Sequence, residues 1–194
     1  FRIFATDYEL DARLHGFWAI GYIDIVKKSR FKEELKSYEA DGVKNLKLQR
    51  LAVYDVPPDL HDEYFLVKLI EPEERVGVAL GLDVGMESRR RKAFLYARDH
   101  GVPAIVDDIY LFRDPKRRKG ILMFVPVYER NSLIVSIEDR KKNILGWAFT
   151  ALKLEDFVNH AMVDQAPLLS FEIKQSVTGQ LFYRSADFQK YSNG

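Results

Sequence analysis

The side chains able to do chemistry are scattered along the chain. His15, His61, His100 and His160 stand far apart, and none lies three or four residues from another or within a Glu-x-x-His arrangement. That spacing argues against a histidine metal site, and neither a metal nor a cofactor is expected. His100 reads instead as a helix-end residue favoured by the C-terminal dipole. The lack of cysteine removes disulfides, thiolate zinc sites and cysteine nucleophiles together. The adjacent carboxylates Glu73 with Glu74, and Asp107 with Asp108, would point to opposite faces of an extended chain. They therefore read as solvated charge rather than as a converging acid–base pair. No nucleophile elbow, phosphate loop or dinucleotide fingerprint occurs. An enzyme would need His61 to converge with Asp62 and Glu63 in one cleft.

Two basic runs, Arg89–Lys92 and Arg113–Lys119, are the best candidates for nucleic-acid contact. They lie beside acidic neighbours at turns and lack interleaved aromatics, which favours solvated turn charge. Over all 194 residues, 30 Lys and Arg face 29 Asp and Glu, so the chain has no global field to draw nucleic acid or an anionic membrane. A hydrophobic fraction of 47% excludes intrinsic disorder. The longest apolar run, Ile121–Tyr128, has strand length and falls short of the about 18 residues of a membrane span. Zero cysteine suits either side of a bacterial membrane. The chain opens on Phe1 with no signal-peptide pattern and reads as a piece of a longer protein.

The elements that must position any site follow from periodicity. Phe1, Phe4, Tyr8, Ala12 and His15 mark a helix without an N-cap, stopped by Gly16. Phe17–Val26 reads as a short apolar connector to a second helix, capped by Ser29, carrying Phe31, Leu35 and Tyr38, and closed by Gly42. Strands are predicted at Leu46–Val53, Tyr64–Ile70 and Val76–Leu82. A helix follows over Glu87–His100, with Arg89–Lys92 on its outer turns and Phe94, Leu95 and Ala97 inward. Further strands are predicted at Ala104–Val106, Ile109–Phe112, Gly120–Tyr128, Leu133–Ile137 and Ile144–Leu152. A short helix at Lys153–Val163 and strands Leu168–Lys174 and Gln180–Arg184 complete the chain. The fold class is α+β. Its expected parts are a stalk helix, connector and second helix over 1–45, a first sheet unit over 46–130 and a second over 131–194.

Three stretches carry a family resemblance. The first is Gly16-Phe17-Trp18-Ala19-Ile20-Gly21-Tyr22 with Arg30-Phe31-Lys32-Glu33-Glu34. The second runs from Tyr64 through Glu71-Pro72, then Ala79-Leu80-Gly81-Leu82-Asp83, and on to Ala97-Arg98-Asp99-His100-Gly101. The third is Gly120–Tyr128, ending Pro126-Val127-Tyr128, with Gly146-Trp147-Ala148-Phe149 beyond it. In this order they resemble the CHASE domain, the cyclases/histidine-kinases-associated sensory extracellular domain. The resemblance implies a stalk helix followed by a membrane-distal and a membrane-proximal PAS-like subdomain, in the periplasmic or extracytoplasmic part of an inner-membrane protein. Membrane contact would come only through flanking transmembrane helices. It also implies a homodimer through the N-terminal helix, and output through a histidine kinase, a diguanylate cyclase or a similar enzyme domain beyond this chain. The domain itself would not be an enzyme.

In the family's cytokinin-receptor branch an acidic residue and a threonine of the distal subdomain contact the ligand. Their positions correspond to Glu74 and Val106. The missing hydroxyl at Val106 would leave a polar ligand edge unpaired, at a cost of about 1–3 kcal/mol, which argues against an adenine-type ligand. A small organic ligand would otherwise meet alternate residues of the strands, Val78, Leu80, Leu122 and Phe124, with Tyr64 and Tyr110 as polar tips. The expected function is therefore small-molecule sensing. The alternative is a periplasmic protein–protein interaction module without a ligand.

Overall fold

The computed structural model describes residues 16–43, 46–50, 55–56, 61–111, 119–162, 170–174, 179, 181–185 and 188. The helix expected over Phe1–His15 lies outside these residues, as does most of the charged turn after Phe112.

The segment expected to be a connector is instead the central strand, β1 (Phe17–Lys27), of a seven-stranded sheet. It is flanked by β3 (Glu63–Glu71) and β7 (Ile144–Leu152), antiparallel to both, with Ile23 opposite Val67 on one side and Trp147 on the other. An eleven-residue aromatic and β-branched run with neighbours on both edges satisfies its whole backbone, which a connector could not. Gly21 permits this packing. A Cβ there would collide with the Leu69 carbonyl on one side and the Phe149 ring on the other.

The other strands are β2 (Gln49–Arg50), β4 (Leu82–Asp83), β5 (Ala104–Tyr110) and β6 (Lys119–Tyr128), giving the order β2-β4-β3-β1-β7-β6-β5. Only β2 and β4 run parallel, so the sheet is mixed. Among the described residues the predicted strand 46–53 is reduced to β2, with 51–54 outside them. The two short strands expected at 104–112 are one, β5, kinked by an irregular register between Val106 and Ile109.

Five helices accompany the sheet among the described residues, and the class is α+β: α1 (Phe31–Ala40), α2 (Glu73–Val76), α3 (Ser88–His100), α4 (Ile137–Asn143) and α5 (Leu154–Ala161). A 3-10 turn over Lys28–Arg30 leads into α1, and Ser29 falls inside it, so the expected cap is not made. On the α1 face, Tyr38, Val26, Leu46 and Leu66 form a small core. On the other face α3 buries Phe94 and Ala97 against Phe65, Phe124 and Trp147. Phe94 and Trp147 are fully buried, with ring centroids 4.8 Å apart, and the indole N–H donates to the Phe94 carbonyl at 3.1 Å. Gly101, with φ 67°, ends α3 as its sequence predicts.

Two predicted strands do not form as strands. Residues 76–82 complete α2, pass through a 3-10 turn at Gly77–Ala79 and become extended only at β4. Pro72 before two acidic residues starts this turn, and Val76 and Ala79, three apart, face the core together. Leu133–Ile137 is not a strand either. Ser136 caps α4 through a reciprocal box with Asp139, which turns the chain into a helix at that point.

The boundary expected at 130/131 runs between β6 and β7, which pair over their length from Ile121–Leu152 to Tyr128–Ile144. Since β7 also pairs with β1, residues 144–152 belong to the same sheet as 17–27. Beyond them, α5 precedes a separate hairpin, β8 (Glu172–Lys174) with β9 (Leu181–Arg184).

Candidate ligand site

A cavity of about 70 Å³ lies on the α3 side of the sheet. Strand β1 contributes Trp18, Ala19 and Ile23, β7 contributes Phe149 and Ala151, and β6 contributes Leu122 and Phe124. The opposing wall is the irregular segment between β3 and α3, through Val76, Ala79, Leu82 and Val84, with Ile109, Tyr110 and Leu111 at the end of β5. Arg90 is the charged residue among these walls.

Arg90 reaches the cavity because α3 turns about 100° per residue. It lies four residues before Phe94 and seven before Ala97, on the helix face that packs on the sheet. Its side chain is 16% exposed, and its buried Nε makes no hydrogen bond. The nearest carboxylate, Glu87, stands 3.5 Å from that nitrogen. Glu87 is already occupied as the α3 cap, accepting from the Arg89 and Arg90 amides and from Arg89 Nε. Burial lowers the Arg90 pKa, Glu87 opposes that shift, and Arg89 adds to it.

Arg91 also points inward, correcting the expectation that the whole basic run lies on the outer turns. It is 9% exposed, with its guanidinium 4.5 Å from the Phe65 ring centroid and donating to the Gly85 carbonyl. Beside it, buried Asp83 accepts from the Phe65 and Gly85 amides, each at 3.0 Å. Desolvation raises the Asp83 pKa, against the two amides and the Arg91 charge. This carboxylate ties β3, β4 and the approach to α3 together, so it fixes the origin of the helix that carries Arg90.

Of the residues singled out from sequence, Leu122, Phe124 and Tyr110 line this cavity together. Val106 is buried in the same core but is not one of the cavity's walls. Val78 and Leu80 are half-buried and also absent from the walls, because residues 73–79 are helical and turn Val76 and Ala79 inward instead. Glu74 is exposed. Tyr64 belongs to the α1 face, edge-on to Phe31 at 5.4 Å. Most of the walls were missed, among them Arg90, Val76, Ala79 and Trp18. The signal for Arg90 was its helical phase with Phe94 and Ala97.

Two other features bear on function. His61, Asp62 and Glu63 do share one cleft, but Lys27, Lys28 and Arg91 line it too. Burial and the Arg91 and Lys28 charges lower the His61 pKa, outweighing Glu63 and Asp83. Among the described residues no three His, Asp or Glu side chains gather as a metal site, and no described helix is long and apolar enough to cross a membrane.

A mixed sheet covered by helices and enclosing a small apolar cavity has the character of a binding module. The family model of the CHASE domain matches residues 1–183, and the chain belongs to that family of sensory extracellular domains of signalling receptors. The domain is a sensor rather than a catalyst. A comparison with curated proteins finds no match.

Proposed function

We propose that this chain is the periplasmic, small-molecule-sensing part of a transmembrane receptor, and that its ligand occupies the cavity between β1, β6, β7 and the segment before α3. The observation that carries this reading is the cavity itself, with apolar walls and one buried cation. The receptor works as a homodimer through the N-terminal helix, and its output is a histidine kinase, diguanylate cyclase or similar domain outside this chain. Binding transmits a signal only through a difference in affinity between two arrangements of the domain. Equal affinity would shift nothing. The test is a thermal-shift screen of the purified chain against a broad metabolite library, followed by the same compounds on the full-length receptor. A compound that raises the midpoint and changes output supports the reading. A silent library together with unchanged output on deleting the domain overturns it.

One observation favours the second reading, a protein-docking module. Leu133, Ile134, Val135 and Ile137 are 66%, 41%, 77% and 46% exposed up to the start of α4. Leu133→Ser with Val135→Ser in the full-length receptor should abolish output on that reading, and leave it intact on the first.

A further inference from the structure

We infer that the cavity takes a small aliphatic monocarboxylate, its chain against the apolar walls and its carboxylate on the Arg90 guanidinium. The inference rests on the cavity being the ligand site. Three observations support it together. Arg90 is the charged side chain among walls that are otherwise aliphatic or aromatic, so any charged group bound there is an anion. Its buried Nε has no acceptor, and Glu87, 3.5 Å away, is committed to two backbone amides and Arg89. That Nε is short of an acceptor, and a planar carboxylate supplies two oxygens in the spacing of the guanidinium fork.

The walls disfavour a second anionic group. A dicarboxylate would bury a second charge among walls that hold no second cation, where Tyr110 offers at most a hydroxyl, a cost that one arginine does not offset. Volume sets the length. An apolar cavity of about 150 Å³ holds the six carbons of benzene, so about 70 Å³ holds roughly three heavy atoms, which are the chain carbons when the carboxylate lies outside this volume on Arg90. Butanoate and 2-methylpropanoate have the right size.

The experiment is isothermal titration of the purified chain at pH 7 with butanoate and with its neutral isostere butanamide. The variants Arg90→Met and Ala79→Leu are titrated alongside. Arg90→Met removes the cation while Glu87 keeps its bonds to the Arg89 and Arg90 amides and to Arg89 Nε, and its thermal midpoint is measured before titration to establish that it folds. Ala79→Leu fills the cavity without touching Arg90. The expected result is butanoate binding that is about 10-fold or more tighter than butanamide. Binding should weaken by a similar factor in Arg90→Met and be lost in Ala79→Leu. Equal binding of the two compounds, or unchanged butanoate binding in Arg90→Met, overturns the role of Arg90 and leaves the cavity as a neutral-ligand site. Silence of both compounds overturns the monocarboxylate. Silence of the wider library, together with unchanged output on deleting the domain, overturns the sensing reading beneath it.

Discussion

Replacing Asp83 by alanine should destabilise the domain by about 2–4 kcal/mol. The Asp83 carboxylate is 4% exposed, and one of its oxygens accepts from both the Phe65 and the Gly85 amide at 3.0 Å. Each buried amide left without an acceptor costs about 1–3 kcal/mol. Part of that loss is returned because a desolvated carboxylate no longer has to be held in the core, although Arg91 then loses its neighbouring negative charge. With a urea dependence of about 2 kcal/mol per molar, the unfolding midpoint falls by about 1–2 M. Asp83→Asn keeps an acceptor oxygen and should lose at most about half as much as the alanine variant.

The pH dependence separates hydrogen bonding from charge. Desolvation raises the folded-state pKa of Asp83, so the native protein holds this proton more tightly than the unfolded chain does. Stability from this group is therefore greatest below the ordinary aspartate value of about 3.9, falls as pH rises towards the raised value, and is flat above it. Asp83→Asn lacks that slope, so its deficit against the parent should be widest in acid and narrower at pH 7. Equal losses for the two variants, or an alanine variant within about 0.5 kcal/mol of the parent, would refute the tie between β3, β4 and α3.

On the opposite face, the Tyr38 hydroxyl donates to Asp24 at 2.7 Å, so Tyr38→Phe should cost about 1–3 kcal/mol at pH 7 by urea unfolding. Burial, the leading effect on Asp24, raises its pKa, so its own contribution also falls as pH rises past the ordinary aspartate value. Asp24→Asn should remove that fall while keeping the tyrosine bond, read as a flatter midpoint-against-pH curve. Gly21→Ala should unfold the domain or lower its melting temperature sharply, because neither the Leu69 carbonyl nor the Phe149 ring can yield within the central strands. Trp147→Leu should cost about 3–5 kcal/mol by chemical denaturation, since the indole is fully buried between Phe65 and Phe94.

Signals held within one element were legible in the sequence. Gly101 closes α3, the alternating runs became β3, β6 and β7, and the ordered motifs indicated a sensory family before any geometry was known. What was not legible depended on distant neighbours. Residues 76–82 are apolar at nearly every position, a pattern that fits a buried strand or a buried helical turn equally well, and the phase chosen there decided between Val78 and Ala79. Strand β1 looked like a connector because its partners, β3 and β7, lie far downstream, Lys27 pairing with Glu63 and Asp24 with Gly146. In Arg89–Lys92 the charge masked the helical phase. Four consecutive residues of a helix cannot all face water when its other side packs on a sheet, and Arg90 and Arg91 were the two turned inward.

The two walls of the cavity differ in how firmly they are held, and that difference bears on signalling. One wall is the centre of the sheet, where β1 pairs with β3 and β7 along almost its whole length and Ile23 is 1% exposed. The other is a four-residue helix, a 3-10 turn and a two-residue strand whose pairing to β3 is the single match Leu66–Asp83. A ligand that fills the space adds contacts to both, and the second wall is the one held by separate bonds, such as Gly81 N–H to the Val67 carbonyl and Gln49 N–H to the Gly81 carbonyl, rather than by a continuous ladder. Any ligand-dependent change would therefore begin in residues 73–86. Asp83 joins that segment to β3, and Arg90 stands one helical turn beyond it, so a carboxylate drawn onto Arg90 would act on α3 at the point where Asp83 anchors its approach. On the proposed reading, the same few residues would then govern both folding stability and the effect of occupancy.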